Sequence, residues 1–123
     1  MPELVVRKAL HAIGYRFRLT SKDIPGKPDI VLPKYRTVIF VNGCFWHGHP
    51  DCRRSRRPTT NTDFWNLKLD RNILRDMAVR REISAAGWSS ITVWECETKN
   101  TDNLRTKLLS LLPKRVVDHD EEA

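Results

Sequence analysis

The segment from residue 42 to residue 62 sets the tightest limit on how this chain can fold. It holds Asn42, Gly43, Gly48, Pro50 and Pro58 and the run Arg53-Arg54-Ser55-Arg56-Arg57, with neither a helical nor a strand period. A stretch of that length is long for a structureless loop in a small domain, so something has to hold it. The segment supplies its own candidate in Cys44, His47, His49 and Cys52, with Cys96 far downstream after Val93-Trp94-Glu95. Three thiolates and an imidazole make a tetrahedral zinc site. A site closed by four protein ligands is structural, because no position is left for water. Zinc would tie the loop to the end of the strand that carries Cys96. Spacing does not choose between His47 and His49 as the fourth ligand, and the blander reading is three buried thiols beside loop histidines. The cysteine count of three is odd. Together with an opening MPELVVRKAL that lacks a signal-peptide pattern, it argues against a disulfide framework.

The rest of the chain reads as one domain. Its 123 residues suit a single modest core. We expect that domain over 1–115, with 116–123 as an acidic, disordered tail. No apolar run approaches the ~20 residues of a membrane span. Lys and Arg number 22 against 15 Asp and Glu, and the net charge is +7. Four of those acids, Asp118, Asp120, Glu121 and Glu122, sit in the last six residues, so the body is more basic than the whole. A basic body suits a polyanion, of which nucleic acid is the commonest.

Local patterning predicts the order α-β-β-β-α-β-α. Pro2 opens a helix that Gly14 closes, with Val6, Ala9, Leu10 and Ile13 on one face. Tyr15 to Leu19 alternates as a half-buried strand. Asp23 to Pro28 is turn material, Asp29 to Leu32 a short strand, and Thr37 to Val41 a buried β-branched strand. Thr62 is placed to cap a helix that stops at Gly87, with Leu67, Leu74, Ala78 and Ala85 sharing its apolar face. Trp88 to Trp94 is a further strand. Thr101 is placed to cap a last helix carrying Leu104, Leu108, Leu111 and Leu112 and ended by Pro113.

Three features beyond the cysteines bear on chemistry. Asp29 begins a strand that leads into Val38-Ile-Phe-Val41, and a carboxylate so placed can hold Mg²⁺ through hard oxygens. By itself it equally suits a turn-capping aspartate. Phe45-Trp46 lie in a polar, glycine-flanked loop, where they either pack over the zinc site or stand exposed for stacking on bases. Arg53, Arg54, Arg56 and Arg57 suit phosphates, or simply a solvated charged loop.

These pieces together resemble the very-short-patch repair (Vsr) mismatch endonucleases over roughly residues 3 to 112. The matching stretches are Pro25-Gly-Lys-Pro-Asp29, Val38-Ile-Phe-Val-Asn-Gly-Cys-Phe-Trp-His47, Phe64-Trp65, Asn72-Ile-Leu-Arg-Asp76, Gly87-Trp88 and Val93-Trp-Glu-Cys96. The resemblance implies an α/β, restriction-endonuclease-like core, a mixed β-sheet flanked by helices, with a structural zinc site. It implies an enzyme that nicks the T-containing strand of a T:G mismatch, 5′ of the thymine, where 5-methylcytosine has deaminated.

Carried over residue by residue, Asp29 becomes the Mg²⁺-binding carboxylate, and the backbone carbonyl of Val41 the other protein ligand. His47 becomes the general base, with Asp76 and Glu3 as further acids of the active centre. Cys44, His49, Cys52 and Cys96 become the zinc ligands. Phe45 and Trp46 match an aromatic wedge that enters the DNA, and Trp65 matches another aromatic near it. A neutral imidazole can take a proton from water near neutral pH, which a zinc-bound one cannot.

The chain departs from that pattern in three places. It starts at the first core helix, where the family usually has a further amino-terminal DNA-contacting segment, either trimmed from this sequence or naturally absent. Val41-Asn42 stand where the family often has Thr-His, and the step from His49 to Cys52 is one residue longer. The implied partners are double-stranded DNA, a DNA cytosine-5 methyltransferase in function, and mismatch-repair proteins. No membrane is implied, and the expectation is a bacterial cytoplasmic monomer at the nucleoid. The alternatives are a zinc-stabilised DNA-binding module with little catalysis, or a restriction-type endonuclease cutting an unmismatched site.

Overall fold

Helix α1 (Pro2–Ala12) begins on a proline, whose missing N–H costs nothing at a first turn, and buries Val6, Ala9 and Leu10. It ends where the sequence places its stop. Gly14 sits at φ +84, its N–H bonded to His11 O, and Tyr15 N–H reaches back to Leu10 O at 3.0 Å. That pair of bonds is a Schellman closure, which needs a left-handed residue at the glycine position. The computed structural model describes residues 2–19 and 24–114. The acidic tail expected at 116–123, and Asp23 of the expected turn, lie outside the described residues.

Three strands form one mixed sheet in the order β1-β2-β3: β1 (Ile30–Leu32), β2 (Thr37–Asn42) and β3 (Ser89–Trp94). β1 and β2 are antiparallel, with Ile30 opposite Ile39, and are joined by a 3-10 turn at Pro33–Tyr35. β2 and β3 are parallel, with Val41 opposite Val93, and a parallel pair requires a long crossover. Helix α2 (Thr62–Ala85) supplies it. Helix α3 (Thr101–Leu111) follows β3.

The pleat sends alternate strand residues to two cores. Ile30, Leu32, Ile39 and Val93 pack with Leu10 of α1 and Leu104 and Leu108 of α3. On the opposite face Val31 and Val38 pack with Ile83 of α2. The architecture is therefore α/β, with α1 and α3 on one side of the sheet and α2 on the other.

Four local expectations are corrected. Residues 15–19 are not a strand but make a single bridge, Arg18 to Val31. The Schellman turn at one end, and the Tyr15 hydroxyl donating to Pro113 O at 2.6 Å, fix this segment to the helices, so it meets β1 at one residue pair. Its alternation is still used, since Tyr15 and Phe17 pack on the α1 core. Thr62 is the first residue of α2 rather than its cap; the cap is Asn61, in the left-handed region at φ 52. Thr101 likewise opens α3, while the Asn100 side chain caps it by accepting from Asn103 N–H at 3.0 Å.

The fourth correction matters most. Leu67 and Leu74, read as the inner face of α2, are 54% and 63% exposed. The buried residues are Leu69 and Ile83, and the inward stripe between them runs through Asn72, Ile73, Asp76 and Val79. An apolar count misses that stripe because two of its members are polar, and they are polar because they face a cavity.

Candidate active site and metal centre

Asp29 directly precedes β1, and the antiparallel register sets it beside the far half of β2. Its Oδ2 accepts from Val41 N–H at 2.7 Å. Burial pushes the Asp29 pKa above its ordinary 3.8, against the pull of the Val41 N–H; the charge of Glu3 adds to the rise and that of His47 opposes it. Glu3 on α1 is thus within electrostatic reach of Asp29, while its carboxylate also pairs with Arg7 at 2.6 Å.

After β2 the chain coils through Gly43 to His49, with His47 N–H bonded to Gly43 O and His49 N–H to Cys44 O. Helix α2 grips this coil at three successive residues. Asn72 Nδ2 donates to Trp46 O at 3.2 Å. Asp76 Oδ2 lies 2.6 Å from His47 Nδ1. Gly48, at φ +62, lies so close to Ile73 that a Cβ there would meet Ile73 Cδ1 at 2.5 Å. Asn72 and Asp76 are four apart and so share a helix face.

The result is an open cavity of about 590 Å³ between the sheet and α2, whose walls include Asp29, Val41, Asn42, His47, Asn72 and Asp76. Glu3 lies outside its lining and reaches it through charge alone. With the Asp76 carboxylate beside Nδ1, a neutral imidazole at His47 would carry its proton there and leave Nε2 as an acceptor. A carboxylate, an oriented imidazole and a second carboxylate are the parts needed to bind a cation and activate water.

A second cluster adjoins the first. One ligand atom from each of Cys44, His49, Cys52 and Cys96 lies within 4.8 Å of all the others, a group able to hold a metal ion. Cys44 is fully buried, and its sulfur accepts from Cys96 N–H at 3.4 Å. The His49 ring stacks on Trp94 at 4.3 Å, which fixes its plane. The Ser55 hydroxyl lies 2.7 Å from the carbonyls of both His49 and Cys52 and holds the returning loop.

Burial and the neighbouring Cys44 and Cys52 thiols push Cys96 up to about 11. Burial also opposes ionisation of Cys52, yet the Arg54 N–H and the adjacent thiols outweigh it and bring that group below 9.0. Packed thiols that compete for charge are what a bound cation relieves. The question that spacing leaves open has a geometric answer: His49 faces the thiols and His47 faces Asp76.

The aromatics form a third group, and they do not cover the thiols. Phe45, Trp46 and Trp65 contact one another with centroids 5.2 to 6.0 Å apart, and Phe64 joins through Trp65 at 5.2 Å. Trp46 is 46% exposed and Phe64 59%. Lys68 Nζ lies over both Trp46 and Phe64. Phe64 and Lys68 were missed as site residues by sequence reasoning; their i, i+4 spacing beside Trp65 was the available signal. Of the loop arginines, Arg54 pairs with Glu95 at 3.8 Å and Arg57 with Asp70 at 2.6 Å. Arg53 and Arg56 are exposed and make no ion pair with the described residues.

Carboxylates and an imidazole in an open cavity, beside exposed rings and cations, suit a hydrolase acting on a nucleic acid. Sequence comparison narrows the class. The family described as DNA mismatch endonuclease Vsr matches residues 1–54. The type II nicking enzyme V.XorIIP of Xanthomonas oryzae pv. oryzae is 47% identical over 111 residues, covering 90% of this chain and 81% of that protein. V.NmeAIP of Neisseria meningitidis serogroup A is also 47% identical, covering 90% and 79%. The DNA mismatch endonuclease Vsr of Escherichia coli K12 is 38% identical over 97 residues, covering 79% and 62%. The chain belongs to the Vsr DNA mismatch endonuclease family and is a DNA endonuclease. No helix among the described residues is long and apolar enough to cross a membrane.

Proposed function

We propose that this endonuclease nicks the T-containing strand of a T:G mismatch, 5′ of the thymine, and so initiates very-short-patch repair of deaminated 5-methylcytosine. The observation that carries this reading is the coil from Cys44 to His49. Phe45-Trp46 directly precede His47 in it, so rings entering a duplex would bring the imidazole to the adjoining backbone. A wobble pair stacks less well than a Watson–Crick pair, so opening it costs less, and part of the selectivity follows from that difference.

In this reading Asp29 and the Val41 carbonyl hold Mg²⁺. The donor chemistry fits, since a half-buried carboxylate whose charge is opposed by burial and by Glu3 gains from a cation. When bound, the ion neutralises charge on the phosphate and makes water easier to deprotonate. His47 Nε2 takes the proton from the attacking water, and Asp76 holds the ring at Nδ1. Glu3 adjusts the charge balance around Asp29.

Cys44, His49, Cys52 and Cys96 hold a structural zinc, whose soft thiolate donors suit that metal. Phe45, Trp46 and Trp65 enter or flank the mismatch, and Arg53, Arg54, Arg56 and Arg57 contact phosphates. The sheet and its helices form a restriction-endonuclease-like core over 1–115. The enzyme acts as a monomer in the cytoplasm, in functional partnership with a cytosine-5 methyltransferase and with mismatch-repair proteins.

The test is strand-specific nicking of an end-labelled duplex, T:G against T:A, with Mg²⁺ or without divalent metal. Mg²⁺-dependent cleavage of the T strand at T:G alone is expected. Equal cleavage of T:A would favour a restriction-type activity, and no cleavage in any tested context would leave a DNA-binding module.

A further inference from the structure

The cavity has a basic side that the proposed chemistry does not use. Lys27, Arg75 and Arg80 line it together with Asp29 and Asp76, and none of the three forms an ion pair with the described residues. Arg53 and Arg56 of the loop likewise make no ion pair with the described residues, so what distinguishes Lys27, Arg75 and Arg80 is that they line one cavity together. Three cations that line one cavity without an ion pair among the described residues invite an anion.

The backbone at Lys27 points the same way. Lys27 adopts φ 48, a left-handed conformation that an L side chain resists, and it precedes Pro28, which restricts it further. The conformation is imposed from Gly26, which at φ +79 lies flat on α2; a Cβ there would meet Val79 Cγ1 at 2.2 Å. Val79 lies between Arg75 and Arg80 in sequence, on the helix face that lines the cavity. The strained turn therefore delivers Lys27 to the stretch of α2 that carries the two arginines, two residues before Asp29. The turn thus places the Lys27 charge among the residues that line the cavity.

We propose that Lys27, Arg75 and Arg80 form a phosphate-binding rim that takes the phosphodiester next to the scissile one on the nicked strand. The rim offsets the repulsion between Asp29, Asp76 and the incoming backbone, and it fixes the register of that strand across the cavity. Arginine suits this task because its planar fork binds two phosphate oxygens at once. The inference rests on the nicking activity proposed above and names a subsite within it.

Binding is measured by fluorescence anisotropy in magnesium-free buffer, using T:G duplexes with single methylphosphonates at positions flanking the nick. On the unmodified duplex, Lys27→Ala, Arg75→Ala and Arg80→Ala should each lower the slope of log Kd against log salt, and the triple variant should lower it by about 0.9, the value for one phosphate. At one flanking position the methylphosphonate should weaken the wild type and leave the alanine variants no weaker than before. Arg75→Lys should keep part of the affinity. Arg71→Ala, exposed on the same helix outside the cavity, should keep the full methylphosphonate effect. Losses that add at every flanking position would overturn the rim, as would an unchanged salt slope in all three variants. A wild type that fails to nick while the coupling persists removes the nicking reading and keeps the rim. Nicking without coupling removes the rim alone.

Discussion

Cys44 and His47 are three residues apart and serve regions of opposite character. The corner around Cys44 is closed: its sulfur is fully buried, its donors converge, and His49 is clamped by Trp94. The cavity around His47 is open, its side chains only partly buried, and it is lined by charge. One coil feeds both, sending Cys44 and His49 to the thiols, His47 to Asp76, and the Phe45 and Trp46 rings to the surface cluster. On the function proposed above, the contrast separates what holds the molecule from what the molecule does, and substitutions in the two regions should fail in different ways.

The largest effect should come from the closed corner. Cys96→Ser removes one thiolate of the four-donor set. Structural zinc contributes about 10–16 kcal/mol in small zinc domains, against about 5–15 kcal/mol for the whole stability of an ordinary one. We expect loss of bound metal and of cooperative thermal unfolding, read by metal analysis and circular dichroism. A variant that keeps stoichiometric zinc and its Tm would erase the distinction between the two regions.

Next come changes in the open cavity, which should spare the fold. His47→Ala should slow single-turnover nicking by about 10²- to 10⁴-fold, the usual contribution of a positioned base, with Tm unchanged. The ring is only partly buried and Asp76 is its one side-chain hydrogen-bond partner among the described residues, so little packing is lost. A drop in Tm as large as that of Cys96→Ser would mean that the dyad holds the coil rather than acting on water.

Gly48→Ala tests the join between the regions and should give an intermediate effect. Its φ of +62 and the 2.5 Å approach to Ile73 leave no room for a methyl group unless the coil shifts. A loss of roughly 1–3 kcal/mol is expected for such strain, together with slower nicking, because His47 and His49 flank the position. Urea unfolding and nicking should fall together here, unlike in the other two variants.

The sequence makes the closed corner legible and leaves the open one half hidden, for physical reasons. Cysteines advertise themselves: three in a small chain, two bracketing a pair of histidines, leave few alternatives. Glycine stops at Gly14 and Gly87 mark two helix ends, because only a residue at ease with positive φ closes a helix in that way. The cavity face of α2 is harder to see. Its inward positions include Asn72 and Asp76, so a search for apolar periodicity locks onto the solvent-facing Leu67 and Leu74 instead. The expected strand at Tyr15 to Leu19 reduces to one bridge at Arg18 for a related reason. Alternation in Tyr15 to Leu19 reports which side chains are buried, and it does not report whether a neighbouring strand runs alongside. The grip of Asn72 on a backbone carbonyl has no sequence signature, since it depends on where two distant segments meet.

The smallest expected effect carries the sharpest sign. Burial raises the Asp29 pKa above 3.8, so its ionised form is less favourable in the folded protein than in the unfolded chain. For an acid shifted in that direction, the stabilising contribution is complete below the unfolded value. It is lost as pH climbs through the folded one, so at neutral pH the charged carboxylate works against the fold. Asp29→Asn removes the charge at similar volume. In magnesium-free buffer at pH 7 it should raise Tm slightly, and that gain should vanish as the pH falls toward 3.8. The same variant should abolish nicking, so stability and activity would move in opposite directions. Thermal scans of wild type and variant across this pH range decide the matter. A variant less stable than wild type at pH 7 would show that Asp29 supports the fold through the Val41 N–H bond, and the open cavity would then share the structural duty assigned here to the thiols.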